Sequence, residues 1–236
     1  MMGGRPSADV NGYVLAGGKS SRMGRDKALL ELEGKPLVLR AVEKLRRVCA
    51  DVYILGNRSE LEMYAPMVRD LHEGCGPLAG IEAAFSHSEK IWNLFMAVDM
   101  PFLPVEFLEN WVKTVVQQES ARLSMFFVDG RPQPALCMLH KDVAPYVERA
   151  VTQAEFKLLP VLESAAEDLA LKQKTTVDTI FLNLLSSGDA SLFKGNGYIW
   201  EPAKARQGAQ HLWFANLNTP EEFAAAEAFA RTSEMD

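Results

Sequence analysis

Residues 15–27 bring together the residue types that bind phosphate groups. These thirteen positions hold three glycines, two serines and four lysine or arginine residues, directly after an apolar segment at 13–16. Glycines let backbone N–H groups come close to phosphate oxygens, and the cations neutralise them. In a parallel sheet, ligands lie at the carboxyl ends of the strands. The pattern predicts a nucleoside triphosphate site, with a solvated basic turn as the alternative.

Two familiar phosphate-binding motifs do not fit this loop. Gly18-Lys19-Ser20 looks like the end of a P-loop, but the motif needs glycine five residues earlier, where the chain has Tyr13. The Gly-x-Gly-x-x-Gly fingerprint of dinucleotide-binding proteins does not occur here either. The loop therefore predicts a nucleotide site of a different class.

Asp99 is the second residue with clear chemical potential. It follows the wholly apolar segment 94–98 and precedes Met100 and Pro101. A carboxylate at the carboxyl end of a strand, facing phosphates, is a hard oxygen ligand of the kind that Mg²⁺ prefers. The alternative is a turn cap before Pro101.

Alternating strands and helices must position these groups. Short apolar runs predict strands at 13–16, 52–55 and 94–98, and apolar residues at helical spacing predict helices at 36–48, 78–85 and 104–118. Strands that alternate with helices indicate βαβ units and a mainly parallel sheet.

The second half of the chain gives a weaker pattern. Two strands, at 122–128 and 135–139, are predicted around a turn at Gly130, followed by a helix at 143–150. Residues 172–210 are predicted to be irregular. A C-terminal helix is expected to begin at Thr219, with Glu222 completing a capping box.

Composition excludes several classes of protein. The 236 residues carry a net charge of −6, which argues against nucleic acid as the main partner. No uncharged apolar run approaches the roughly 18 residues of a membrane span. The three cysteines show no metal-binding spacing and fit a reducing cytoplasm. We expect one domain, with residues 1–9 as a disordered leader.

Five blocks of sequence, in the same order along the chain, carry a resemblance to a known family. They are residues 15–37, 76–81, 97–102, 129–134 and 216–221. Together they resemble the nucleotidyltransferases of the glycosyltransferase-A-like type, and within them the molybdenum cofactor guanylyltransferases. The resemblance implies an α/β, three-layer, Rossmann-like nucleotide-diphospho-sugar transferase fold. Its nucleotide-binding part would span about 10–110 and its acceptor-binding part about 111–236.

The resemblance also implies a reaction. The terminal phosphate of molybdopterin would attack the α-phosphorus of GTP and release pyrophosphate. A phosphate dianion is already a nucleophile, so catalysis would depend on positioning and on charge stabilisation, with Mg²⁺ as cofactor. We expect a cytoplasmic monomer that makes transient contact with molybdoenzymes or their chaperones, with no nucleic acid or membrane partner.

The resemblance assigns roles to individual residues. Arg22, Lys27 and Asp99 would be catalytic, with Asp99 holding the metal. The nucleotide would be bound by Leu15, Ala16, Gly17, Lys27, Asp70 and Asp99. Further candidates are Gly18, Asn57, Pro77, Leu78, Gln133, Asn216 and Asn218, with Gln133 on the acceptor side. The chain departs from the family at Leu55, where relatives have an asparagine that contacts the nucleotide.

Three alternatives stay open at this point. A cytidylyltransferase acting on the same pterin shares the first loop. Sugar-phosphate nucleotidyltransferases share the fold, but their first loop typically reads Leu-Ala-Ala-Gly rather than Leu-Ala-Gly-Gly. A non-catalytic nucleotide-binding regulator could keep the fold without turnover, although Lys27 and Asp99 are both present.

Overall fold

A computed structural model describes most of the chain. The described residues are 7–16, 26–72, 74, 76–128, 130–186, 193–195, 198–200, 210–215, 217 and 219–232. Every structural statement below concerns these residues.

A mixed sheet forms the centre of the molecule. Its strands are β1 (Ser7–Leu15), β4 (Cys49–Leu55), β5 (Met67–Val68), β6 (Trp92–Ala97), β7 (Leu123–Val128), β8 (Arg131–His140), β9 (Phe181–Ser186), β10 (Phe193–Gly195) and β11 (Tyr198–Trp200). They lie in the order β11-β10-β9-β7-β8-β6-β1-β4-β5. In the seven-strand body from β9 to β5, only β8 runs against the others. Two residue pairs, β2 (Glu31–Leu32) and β3 (Lys35–Pro36), form a separate small ribbon.

Helices cover both faces of the sheet. They are α1 (Leu37–Leu45), α2 (Pro77–His87), α3 (Val105–Val116), α4 (Ala144–Thr152), α5 (Leu158–Gln173), α6 (Val177–Ile180), α7 (Gln210–Trp213) and α8 (Pro220–Thr232). The core has two apolar clusters: α1 and α3 contribute to one, and α2, α4 and α5 to the other. Residues of β1 alternate between them, with Val14 in the first and Tyr13 in the second. This alternation is the three-layer arrangement that the sequence predicted.

Several sequence predictions need correction. β1 begins at Ser7, so a disordered leader does not extend to residue 9. The region 172–210 is not simply irregular, because residues 181–186 form β9 beside β7. α5, a helix of 16 residues, was not predicted. The capping box is confirmed: Glu222 N donates to Thr219 Oγ1 at 3.2 Å, and Thr219 N donates to Glu222 Oε2 at 2.9 Å.

None of the helices within the described ranges is both long enough and apolar enough to cross a membrane.

Candidate active site

Three of the candidate residues lie at the same short distance in sequence after the end of a parallel strand. Leu15 of β1 pairs with Leu55 of β4 on one side and with Ala97 of β6 on the other, so the three strands end level. Two residues beyond the ends of β4, β5 and β6 come Asn57, Asp70 and Asp99. The carboxyl edge of the parallel strands therefore brings together side chains that lie far apart in sequence.

Lys27 and Asp99 form the ion pair at the centre of this edge. Lys27 begins a short 3-10 helix, Lys27–Leu29, and Asp26 caps this helix by accepting a hydrogen bond from Ala28 N at 3.0 Å. Lys27 Nζ donates to Asp99 Oδ2, and the two side chains are 16% and 13% exposed. The second carboxylate oxygen, Asp99 Oδ1, is buried and has no hydrogen-bond partner among the described residues.

Arg58 holds the segment that carries Lys27. Its Nη1 donates to Asp26 Oδ1 at 2.8 Å, and its Nε donates to Glu60 Oε1 at 3.1 Å. This contact joins the loop after β4 to the residue next to Lys27. The sequence offered a signal for it, the Asn57-Arg58 pair after β4, but only Asn57 was selected as a candidate.

Asn57 acts on the backbone of Asp70. Its Oδ1 accepts a hydrogen bond from Asp70 N at 3.2 Å, which ties the loop after β4 to the loop after β5. Gly80 on α2 allows the helix to approach the same place: a Cβ there would lie 3.3 Å from Leu55 Cβ and 3.6 Å from Asp70 Oδ1. The structure thus brings together Asn57, Asp70 and the first turns of α2.

The two candidates at the start of α2 differ in exposure. Pro77 is exposed, whereas the Leu78 side chain is fully buried in the core beneath the helix. Leu78 can therefore contact a nucleotide only through its backbone. A side-chain contact also connects α2 to the preceding loop: His72 Nδ1 lies 2.7 Å from Oε2 of the buried Glu82. Sequence reasoning missed that pair.

Backbone hydrogen bonds attach the Asp99 loop to two other candidate segments. Val98 N donates to Leu15 O at 3.3 Å, and Leu217 N donates to Asp99 O at 3.4 Å. The second bond places the block around Leu217 beside Asp99. Ala16 is buried at the end of β1.

Gln133 lies near the same edge, in the reversed strand β8. Met96 of β6 pairs with Leu136 of β8 in antiparallel register. Gln133 is three residues before Leu136, and Asp99 is three residues after Met96. Because the two strands are antiparallel, both residues lie toward the same edge of the sheet. The acceptor-side candidate and the metal candidate therefore lie beyond the same end of the β6–β8 pairing. Five other candidates lie outside the described residues: Gly17, Gly18, Arg22, Asn216 and Asn218.

Lys44 is a further residue that sequence reasoning missed. Its Nζ, on α1, donates to Pro101 O and, at 2.7 Å, to Leu103 O. Burial lowers the pKa of Lys44 to about 7, and neighbouring Arg40 acts in the same direction. The apolar residues at helical spacing in α1 did not indicate this role, because a lysine on a helix usually points to solvent.

Asp99 is suited to hold a divalent cation together with a ligand. Within the described ranges, no group of three or more His, Cys, Asp or Glu side chains is arranged around a common metal position. A protein-only site would need such a group, but Mg²⁺ usually takes one or two carboxylates and completes its shell with substrate phosphates and water. The unpartnered Asp99 Oδ1 fits that second arrangement.

Comparison with known proteins identifies the family. Residues 12–169 match the MobA-like NTP transferase domain family. The chain belongs to this family. It is therefore a nucleotidyltransferase, in agreement with the resemblance noted in its sequence.

Two relatives with the same name are similar to most of this chain. A molybdenum cofactor guanylyltransferase of Serratia proteamaculans (strain 568) is 33% identical over 164 residues, which is 66% of this chain and 81% of that protein. Another, from Yersinia pestis (strain Pestoides F), is 30% identical over 193 residues, covering 79% of this chain and 95% of the relative.

Solved structures agree on the fold. Molybdopterin-guanine dinucleotide biosynthesis protein A from Archaeoglobus fulgidus superposes with a TM-score of 0.67 at 24% identity, covering 94% of this chain and 99% of that one. A glucose-1-phosphate thymidylyltransferase of Bacillus anthracis, described as putative, gives a TM-score of 0.65 at 13% identity, covering 94% and 95%. These likenesses confirm the predicted Rossmann-like nucleotidyltransferase fold.

Proposed function

We propose that this protein transfers GMP from GTP to the terminal phosphate of molybdopterin, releasing pyrophosphate and forming the molybdopterin guanine dinucleotide cofactor. The observation that carries the proposal is the Lys27–Asp99 pair at the carboxyl edge of β1, β4 and β6, with Asp99 Oδ1 still available. The names of the relatives from Serratia and Yersinia support the choice of guanine and pterin.

The reaction is a single displacement at phosphorus. An oxygen of the molybdopterin phosphate forms a bond to the α-phosphorus of GTP, while the bond from that phosphorus to the α,β-bridging oxygen breaks. Pyrophosphate leaves with the electron pair. No covalent enzyme intermediate is needed, because the attacking phosphate is already an anion. The protein contributes by aligning the two phosphates and by stabilising the charge that develops on them.

Lys27 and Asp99 are assigned complementary roles in this step. In the absence of nucleotide they neutralise each other. On binding of GTP, Lys27 would donate to phosphate oxygens, and Asp99 would hold Mg²⁺ through its carboxylate. When bound, Mg²⁺ supplies Lewis-acid stabilisation of the phosphate charge. Arg22, in the loop next to Lys27, is proposed to add a second positive charge at the leaving phosphates.

The nucleotide and the acceptor would approach from neighbouring parts of the edge. Asp70, held by Asn57, and the first turn of α2 would lie on the nucleotide side, where Gly80 lets the helix pack close to the strand ends. Gln133 on β8 would contact the pterin phosphate on the other side of Asp99. In this proposal, Asp99 would lie between the two reacting phosphates.

A thermal-shift panel tests the nucleotide part of the proposal. Wild type and Asp99→Asn would be melted with GTP, CTP, ATP or UTP, each with and without Mg²⁺. A ligand present at 100 times its dissociation constant adds about 2.7 kcal/mol to the free energy of unfolding. We expect a shift with GTP that Mg²⁺ enlarges in wild type but not in Asp99→Asn. A shift with CTP alone would transfer the assignment to a cytidylyltransferase, and turnover with molybdopterin and each nucleotide would then decide.

A further inference from the structure

A lysine on α1 spans the distance to the loop that carries Asp99. Lys44 Nζ donates to Pro101 O and to Leu103 O, 57 and 59 residues further along the chain. Both carbonyls belong to the turn that leads from Asp99 to α3, which begins at Val105. One side chain therefore connects the α1 layer to the segment just after the proposed metal ligand.

The environment of Lys44 is unusual for a lysine. Burial lowers its pKa to about 7. Its neighbours along the same helix, Val42 and Leu45, are fully buried apolar residues. A buried ammonium group is unfavourable unless hydrogen bonds compensate for the lost hydration. An apolar side chain could fill the same space, but it could not donate to the two carbonyls.

The Asp99 loop is fixed from several directions, by backbone hydrogen bonds, by the Lys27 side chain at Asp99 and by the Lys44 side chain further along. On the upstream side, Val98 N bonds to Leu15 O at 3.3 Å. At Asp99 itself, the backbone carbonyl accepts from Leu217 N at 3.4 Å. Downstream, Met100 and Leu103 are buried in the core, and Lys44 binds the carbonyls of Pro101 and Leu103. Proline lacks an N–H group, so residue 101 cannot donate a backbone hydrogen bond of its own.

We propose that Lys44 is a positioning residue that holds the Asp99 carboxylate in the place where a divalent cation and the nucleotide phosphates meet. The proposal rests on the proposed function, because it assumes that Asp99 binds the cation. Lys44 does not itself touch the nucleotide. It acts through the backbone from Pro101 to Leu103, and loss of its donors would let this turn, and Asp99 with it, adopt other positions.

The test compares Lys44→Met, which keeps the length of the side chain but removes its donors, with Lys44→Arg, which retains donors. Lys113→Met is the matched control, since Lys113 is an exposed residue on α3 outside the site. The first measurement is the dissociation constant for Mn²⁺ of the protein with GTP and no acceptor, which water-proton relaxation detects. The second is the Mg²⁺ concentration that gives half-maximal transfer.

We expect Lys44→Met to raise the dissociation constant for Mn²⁺ and the half-saturating Mg²⁺ concentration about ten-fold or more. At saturating Mg²⁺, the KM for GTP should stay within about three-fold of wild type. Lys44→Arg should recover most of the cation affinity, and Lys113→Met should match wild type. If Lys44→Met melts at a lower temperature but binds Mn²⁺ as wild type does, Lys44 only supports the fold and the proposal is wrong.

Two additions keep the result decisive. Asp99→Asn in the same titration shows whether Mn²⁺ binding depends on Asp99 at all; if it does not, the metal assignment in the proposed function fails, and the Lys44 proposal fails with it. If Lys44→Met does not fold, Lys44→Gln takes its place, because its uncharged amide lies one bond nearer the backbone than Lys44 Nζ and cannot keep both hydrogen bonds to the Pro101 and Leu103 carbonyls. Cation affinity equal to wild type in Lys44→Gln, with the Mg²⁺ requirement unchanged, would overturn the proposal in that case.

Discussion

The nucleotide-binding half and the acceptor half of the sheet are built on different principles. In the first, β1, β4, β5 and β6 run parallel, and Asn57, Asp70 and Asp99 follow the ends of β4, β5 and β6 at the same offset of two residues. In the second, β8 is reversed between β6 and β7, so the same edge is formed by the beginning of a strand. Only Gln133 represents the acceptor half among the described candidates at this edge.

From this difference we expect the two halves to tolerate different changes. Parallel strands bring distant segments together at one edge, and the loops that follow are tied to each other by Asn57, Arg58 and Lys44. Titratable groups in the acceptor half, such as Arg122, His140 and Asp142, interact instead at the opposite end of β8 and around the start of α4. We therefore expect the rate of transfer to depend on residues of the nucleotide-binding half. The pH dependence of stability should depend on residues of the acceptor half.

The largest effect is expected from Asp99→Asn. The substitution keeps the shape of the side chain but removes the charge that faces Lys27. Transfer should fall about 1,000-fold, equivalent to about 4 kcal/mol of transition-state stabilisation. The melting temperature should change by no more than a few degrees, because the group lies in a loop. Initial rates and thermal melts measure both quantities.

Asp142→Asn is the matched control from the acceptor half. Asp142 pairs with Arg122 at 2.7 Å, far along β8 from the candidate site. Its transfer rate should equal that of wild type within about two-fold. A large loss of activity in this control would mean that the contrast between the two halves does not hold.

An intermediate effect, on stability rather than activity, is expected at His140. Burial lowers the pKa of this side chain from about 6.5 to about 4, against the opposing influence of Asp142. Between these values the unfolded chain binds a proton that the folded protein does not, so stability falls as the pH is lowered from about 6.5 to about 4. The free-energy difference is up to about 3 kcal/mol.

Urea denaturation at pH 7 and pH 4.5 measures this effect. In His140→Asn, the new Oδ1 can replace Nδ1 as acceptor for Asp142 N, which lies 3.2 Å from Nδ1 in the wild type. The variant should lose less stability on acidification than wild type, while its transfer rate at pH 7 stays the same. Equal acid sensitivity in the two proteins would remove His140 as the cause.

The smallest effect is expected from Asn57→Ala. The variant loses the 3.2 Å hydrogen bond to Asp70 N, which is exposed and worth about 1 kcal/mol. Affinity for GTP should fall about five-fold, with little change in kcat, as isothermal titration and steady-state kinetics would show. Asn110→Ala, which removes an exposed side-chain bond to Glu106 O on α3, is the control. Equal GTP affinity in the two variants would exclude a role for Asn57.

The sequence predicted the first half of the molecule well because its strands are short apolar runs between clear helical patterns. The segment 94–98 and the residue after it located β6 and Asp99 closely. The sequence did not predict β9, whose partner β7 lies more than 50 residues earlier, because pairing between distant strands leaves no local pattern. It also passed over α5, in which buried alanines such as Ala165 and Ala166 weaken the contrast between the two faces of the helix.

The same limit applies to the site. Lys27 and Asp99 could be selected as candidates because they lie in recognisable blocks of sequence. The residues that hold them, Arg58 and Lys44, act across loops that only the folded chain brings together. A lysine in an amphipathic helix gives no local indication that it will bind two carbonyls on another segment.

The central claim is that this edge of the sheet transfers GMP to a pterin phosphate. The most direct measurement is a turnover with molybdopterin, Mg²⁺ and GTP radiolabelled either at the α-phosphorus or at the γ-phosphorus. The account predicts that label from the α position appears in the pterin product and label from the γ position in pyrophosphate, and that Asp99→Asn abolishes both. Label from the γ position in the pterin product, or equal transfer by Asp99→Asn, would contradict it.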